Sequence, residues 1–155
     1  MVYRAKAGRL IRAARNDVGM TQAKLALAAG IHQPTVAAYE SGRRMPSDDT
    51  LRKVLAAARL RPSIALAVLA DEINAAAAAH GIFDVRVFGS VLQGHDTERS
   101  DIDLLVAARE NVSVFGLGAF VADVQDLTGF PVDIISETQA RQPELAHVVN
   151  EAVPL

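Results

Sequence analysis

The sequence predicts an α + α/β architecture, an all-helical half followed by a small α/β half built on a mixed sheet. Three observations predict it. The charge changes sign near Pro62: residues 1–62 hold 12 Lys and Arg against 4 Asp and Glu, a balance of +8, while residues 63–155 hold 4 against 14, a balance of −10. In the first half the apolar residues recur at helical spacing, broken by Gly19, Gly30 and Gly42. In the second half short β-branched runs alternate with longer helical ones. The expected domains are therefore residues 1–62 and 63–155.

The composition limits what each half can be. A chain of 155 residues makes one domain or two small ones. Half of it is apolar and 22% is charged, as in globular proteins, and the excess of alanine over aromatics favours helices. The absence of cysteine excludes disulfides and thiolate metal sites. Met1–Leu10 has no continuous apolar run of the kind a secretory signal needs. No apolar stretch reads as long and clean enough to span a bilayer; Ile64–Leu69 comes closest, and Asp71 and Glu72 end it. A cytoplasmic location without membrane contact is the expectation. The basic half suits a polyanion such as nucleic acid, and the acidic half suits bound metal.

Within the basic half, Leu10, Ile11, Ala14 and Val18 form an apolar stripe with Arg9, Arg12 and Arg15 off it. Gly19 ends that helix. Thr21 stands at an N-cap, with Lys24 where a capping box would place Glu. Leu25 and Ala28 are expected in the core, and Gly30 supplies a left-handed exit. A third helix runs from Gln33 to Ser41 with Pro34 in its first turn, and a fourth carries Leu51, Val54, Leu55 and Ala58. The segment TQAKLALAAGIHQPTVAAYESGRR, Thr21–Arg44, resembles the phage-repressor-like (Xre) helix-turn-helix family over about residues 8–60. The resemblance implies double-stranded DNA as partner. It places Gln33, Thr35 and Tyr39 on or beside the base-reading face, and Gln22, Arg43 and Arg44 on phosphates. His32 replaces the small hydroxyl residue usual there. Ala37 and Ala38 offer no hydrogen bond to a base edge. One such unit reads few base pairs, so a homodimer on a palindromic operator is expected.

In the acidic half a helix is expected from Ile64 to about His80, then a strand Val85–Phe88 running into Gly89-Ser90. Ten residues separate Ser90 from Asp101, which opens a second strand, Asp101–Val106. Asp101 and Asp103 fall on one face of it, because strand side chains alternate. Two carboxylates so placed repel unless a divalent cation lies between them, and Mg²⁺ or Mn²⁺ suits oxygen ligands at this density. A helix Phe115–Leu127 and a third strand, Val132–Ile135, follow. Asp133 is an acid in an apolar run and needs a partner; a metal shared with Asp101 and Asp103 would provide one. His95, Asp96, Glu98 and Arg99 read as a solvated loop.

The stretch FGSVLQGHDTERSDIDLLV, Phe88–Val106, resembles the DNA polymerase β-like nucleotidyltransferase superfamily, and the short length is similar to its minimal members. The resemblance implies that Gly89 and Ser90 bind nucleotide phosphates, Ser90 from a helix start. It makes Asp101, Asp103 and Asp133 the catalytic metal ligands, with Asp133 also helping to deprotonate the acceptor hydroxyl. Val91, Leu92 and Gln93 stand where many minimal members carry basic residues. The fusion resembles antitoxins paired with HEPN-type toxins, which implies AMP transfer from ATP to the toxin and repression of the shared operon. A rival reading is a transcription regulator whose second half is catalytically degenerate and senses nucleotide or binds protein. A third is a transferase acting on a small molecule.

Overall fold

The computed structural model describes residues 2–155; Met1, which opens the Met1–Leu10 stretch without an apolar run, lies outside them. The basic half is helical: α1 (Val2–Ala5), α2 (Ala7–Asp17), α3 (Gln22–Ala29), α4 (Gln33–Glu40) and α5 (Asp48–Ala57). Leu10, Ile11, Ala14, Leu25, Val36, Leu51, Val54 and Leu55 are buried together, as the apolar stripes require. Thr21 Oγ1 accepts from Lys24 N–H (3.1 Å), so α3 is capped without the reciprocal Glu. Gly30 closes α3 at φ +66°, the left-handed region where a side chain would be strained. Ala28 is exposed and Ala26 takes its expected core place beside Leu25. This helix packs on α4 and α5, and its register buries Ala26 rather than Ala28.

The acidic half holds α6 (Pro62–Ala79), β1 (Ile82–Phe88), β2 (Ile102–Ala108), α7 (Val114–Thr128), β3 (Val132–Ser136), α8 (Glu137–Ala140), a 3₁₀ turn (Pro143–Leu145), α9 (Ala146–Glu151) and β4 (Val153–Pro154). The strand order is β3-β2-β1-β4; β2 runs parallel to β3 and antiparallel to β1, which also pairs antiparallel with β4. Alternation divides the sheet. Val85, Val87, Ile102, Leu104, Val106 and Val132 join the main core with α6 and α7, whereas Leu105 packs with Ala140 and Val148 on the other face.

The expected boundary after Pro62 falls in the first turn of α6, and α6 belongs to the packing of both halves. Its Ala65, Leu66, Leu69, Ile73 and Ala77 lie in one buried cluster with residues of α2 and of the sheet. Lys6 pairs with Glu72 across the same contact (2.9 Å). This helix also corrects the reading of its apolar run: at 18 residues and mean hydropathy 1.2 it is long and apolar enough to cross a membrane by length and composition. Asp71 and Glu72 do not interrupt it, because the alanines that follow carry the helix on to Ala79.

Candidate active site and DNA interface

The register of the sheet assembles the carboxylates. Asp103 lies opposite Asp133 on the parallel neighbour and opposite Phe88 on the antiparallel one. Ile102 N–H donates to Pro131 O (2.9 Å), which fixes the entry into β2 and with it Asp101 just before the strand. Carboxylate oxygens of Asp101, Asp103 and Asp133 fall within 4.8 Å of one another. Burial pushes the Asp103 carboxyl above its ordinary range, and the charges of Asp101 and Asp133 push it the same way. Asp133 is exposed rather than buried, because β3 is the outer strand of the sheet.

After Phe88 the chain turns sharply through Gly89, at φ +72°. A methyl group on Gly89 would lie 2.2 Å from Asp103 Oδ2, so only glycine leaves room for that carboxylate. The expected helix start at Ser90 is absent: residues 89–94 form a turn. Gln93 N–H bonds to Gly89 O (3.2 Å) and His95 N–H to Ser90 O (3.0 Å), forming a single turn that Gly94 ends at φ +69°. The Ser90 hydroxyl is buried and makes no hydrogen bond to any described residue. A buried hydroxyl without a partner beside three convergent carboxylates fits a ligand oxygen.

On the basic half, the start of α4 is built on a polar relay. Glu40 is buried and accepts from Arg15 Nε (2.6 Å) and Nη2 (3.1 Å) and from Gln22 Nε2 (2.9 Å). Gln33 Nε2 in turn donates to Gln22 Oε1 (2.9 Å). Gln33, Arg43 and Arg44 are exposed, and Gln22 and Thr35 are half-buried. Tyr39 departs from its expected place: it is only 5% exposed, in the core, with the Arg44 guanidinium 5.9 Å from its ring centroid. It supports the helix from below rather than standing free on its outer face. The end of α4 also lies close on α2, where a methyl group on Gly8 would fall 2.4 Å from the Tyr39 main-chain oxygen.

The family model described as polymerase beta, nucleotidyltransferase matches residues 71–155. This chain belongs to the polymerase beta nucleotidyltransferase family. A helix-turn-helix model matches residues 11–63, so a helix-turn-helix domain precedes the nucleotidyltransferase domain. A Methanocaldococcus jannaschii protein, named provisionally as a protein adenylyltransferase, is 30% identical over 74 residues, 48% of this chain and 80% of that protein. A solved structure, described provisionally as a minimal nucleotidyltransferase, is 38% identical with a TM-score of 0.51, covering 58% of this chain and 95% of that one.

The nucleotidyltransferase half contains a buried, paired carboxylate that the sequence does not announce. Asp96 is not solvated: its side chain is fully buried and bound to Arg61 Nη1 (2.8 Å) and Ser63 N–H (2.7 Å). Its partners lie more than thirty residues earlier, so no local pattern could have found them. The positions after Gly89-Ser90 bring no cation: Leu92 and Gln93 are exposed, and Val91 packs against the core.

Proposed function

We propose that the chain is a DNA-binding, metal-dependent nucleotidyltransferase that moves AMP from ATP to a hydroxyl of a partner protein, an antitoxin-like regulator of a HEPN-type toxin. The observation that carries this reading is the convergence of three carboxylates to within 4.8 Å beside the Gly89–Ser90 turn. The donor set is all oxygen and strongly anionic, which suits Mg²⁺ or Mn²⁺ held by Asp101, Asp103 and Asp133. Such ions supply charge neutralisation on the triphosphate and a more acidic acceptor hydroxyl. Gly89 lets the turn close against the Asp103 carboxylate, and the unpartnered Ser90 Oγ beside it donates to a phosphate oxygen. Asp133, exposed on the outer strand, takes the proton of the incoming hydroxyl. The hydroxyl oxygen bonds to the α-phosphorus as the bond to the bridging oxygen breaks, and pyrophosphate leaves. The adenylyl choice is supported by the name of the M. jannaschii relative, and the toxin by resemblance to two-module antitoxins.

The helix-turn-helix half binds duplex DNA as a homodimer on an imperfect palindrome, half-sites about one helical turn apart, and represses the operon it shares with the toxin. The deciding experiment incubates the full chain with Mg²⁺, α-labelled ATP and the product of the neighbouring gene. Label should pass to that product, stop with EDTA and be abolished in Asp103→Asn while DNA binding survives. Transfer at the wild-type rate in Asp103→Asn would sink the carboxylate mechanism. Complete inactivity of the wild type across nucleotides and metals would favour a regulator whose second half senses nucleotide or binds protein. The lack of a basic residue at Val91, Leu92 and Gln93 is the observation on that side.

A further inference from the structure

The segment from Gly89 to Asp101 joins the nucleotide-binding turn to the first carboxylate without any regular element of its own. Within it, one turn is closed by the bonds of Gln93, Gly94 and His95, and a second by Ser100 N–H to Thr97 O (3.0 Å) and Thr97 N–H to Ser100 Oγ (3.0 Å). Asp96 stands between the two turns. Its side chain is fully buried. Oδ2 accepts from Ser63 N–H (2.7 Å), capping from a distance a helix whose own N-cap residue, Arg61, makes no side-chain cap. Oδ1 accepts from Arg61 Nη1 (2.8 Å). The rest of the Arg61 fork, Nε and Nη2, holds both oxygens of Asp17 at 2.7 and 2.8 Å. Asp17 is the last residue of α2, the helix whose Arg15 grips Glu40. A weaker tie, Arg59 to Glu98 (3.3 Å), runs alongside and is exposed.

We propose that Arg61 and Asp96 are positioning residues for nucleotidyl transfer: through them the helix-turn-helix half holds Ser90 and Asp101 in register with Asp103. The inference rests on the nucleotidyltransferase reading above for its ligand. Its physical basis is that a transfer site is sensitive to displacements of about 1 Å, which can cost about a hundredfold. Between Val91, which packs against the core, and Ile102, which is bonded to Pro131 O, the main chain of this segment is held by turn bonds, and Asp96 is its buried anchor. Planar, forked Arg61 can bind two carboxylates at once, which lysine cannot do with the same geometry. Asp17 is the partner on the basic half, and it carries no chemistry of its own.

The test uses the full chain and three variants, Arg61→Ala, Arg61→Lys and Asp17→Asn. Asp17→Asn is the safeguard against misfolding, because it leaves Asp96 accepting from Ser63 N–H and from Arg61. Hydrogen–deuterium exchange without ligand is measured over residues 89–101, and affinity is measured for Mg²⁺ with α,β-methylene-ATP. Arg61→Ala should speed exchange in that segment at least tenfold while the amides of β1 and β2 hold, and should weaken nucleotide binding about tenfold. Asp17→Asn should shift both in the same direction by less, and Arg61→Lys should restore part of each. Exchange that stays at the wild-type rate in this segment overturns the proposal, as does exchange that rises equally throughout the second half. Faster local exchange with wild-type nucleotide affinity overturns it too. If the wild type binds no nucleotide, the transferase reading falls, and the exchange measurement alone still decides whether Arg61 holds the segment.

Discussion

Gly89 shows how one missing methyl group makes room for a carboxylate. Its φ of +72° would strain any L side chain, and the space a Cβ needs is filled by the Asp103 carboxylate. Gly89→Ala should lower stability by about 1–2 kcal/mol from the left-handed backbone alone. It should also remove metal-stimulated nucleotide binding by displacing Asp103. Urea unfolding and titration calorimetry check the two effects separately; full binding in a destabilised Gly89→Ala would show that Asp103 can move without loss. Glu40 is the corresponding residue on the other half. Burial pushes its carboxyl up, but hydrogen bonds from Arg15 and Gln22 and the charges of Arg15 and Arg12 outweigh burial and hold it below the ordinary value. A group with a depressed folded-state pKa contributes stability above its unfolded value, roughly pH 4.3, and that stability is lost as pH falls through the lower, folded one. Glu40→Gln leaves half-buried Arg15 without its charge partner. It should therefore cost about 3 kcal/mol at pH 7 and progressively less toward pH 3, measured by urea unfolding at both pH values. An equal cost at both would mean that the charge of Glu40 contributes nothing.

At the scale of elements, α3 orients the first side chain of α4, and on the proposed reading of DNA that orientation is what discrimination between sites depends on. Gln33 has a fixed partner in Gln22, itself fixed by Glu40. Gln22→Ala frees the Gln33 amide, and discrimination between operator and mismatched sites should fall by about 1–3 kcal/mol, the range for a lost bidentate base contact. Binding to non-operator DNA at low salt should change little, which competition shift assays can separate. Unchanged discrimination would mean that Gln33 reads nothing. The elements also show why part of the fold was legible in the sequence. Leu10, Ile11 and Ala14, the caps at Thr21 and Gly30, and the alternation through Asp101–Val106 are local signals, and each gives its element. The C-terminal elements were not legible: Ala140 and Val148 are the buried residues of α8 and α9, and two apolar positions eight apart set no period. Asp133 was expected to be buried because its neighbours are apolar. Whether a strand is central or outer is set by its pairing partners, which the strand's own residues do not encode. Asp96 was missed for a related reason, since a charged residue among charged residues in a loop looks solvated until Arg61 is brought to it.

For the whole molecule, the decisive feature is that α6 contributes to both halves. One cluster of buried residues runs from α2 through Leu66, Leu69 and Ile73 to the sheet. Separating the halves would expose that apolar surface at about 25 cal/mol per Å² and would also leave Asp96 and Arg61 without each other. The chain should therefore unfold in one cooperative step, giving a single calorimetric peak with a van't Hoff to calorimetric enthalpy ratio near one. Two resolved peaks would show that the halves melt independently. The Asp17–Arg61–Asp96 bridge has a further consequence for exchange of parts. Recombination that gave this chain another reader of DNA would succeed only if the incoming module ended with an acid where Asp17 ends α2 and an apolar stripe facing Leu66 and Leu69. A graft lacking these would still fold and bind its own DNA site, while the transferase half lost the brace on which the loop depends.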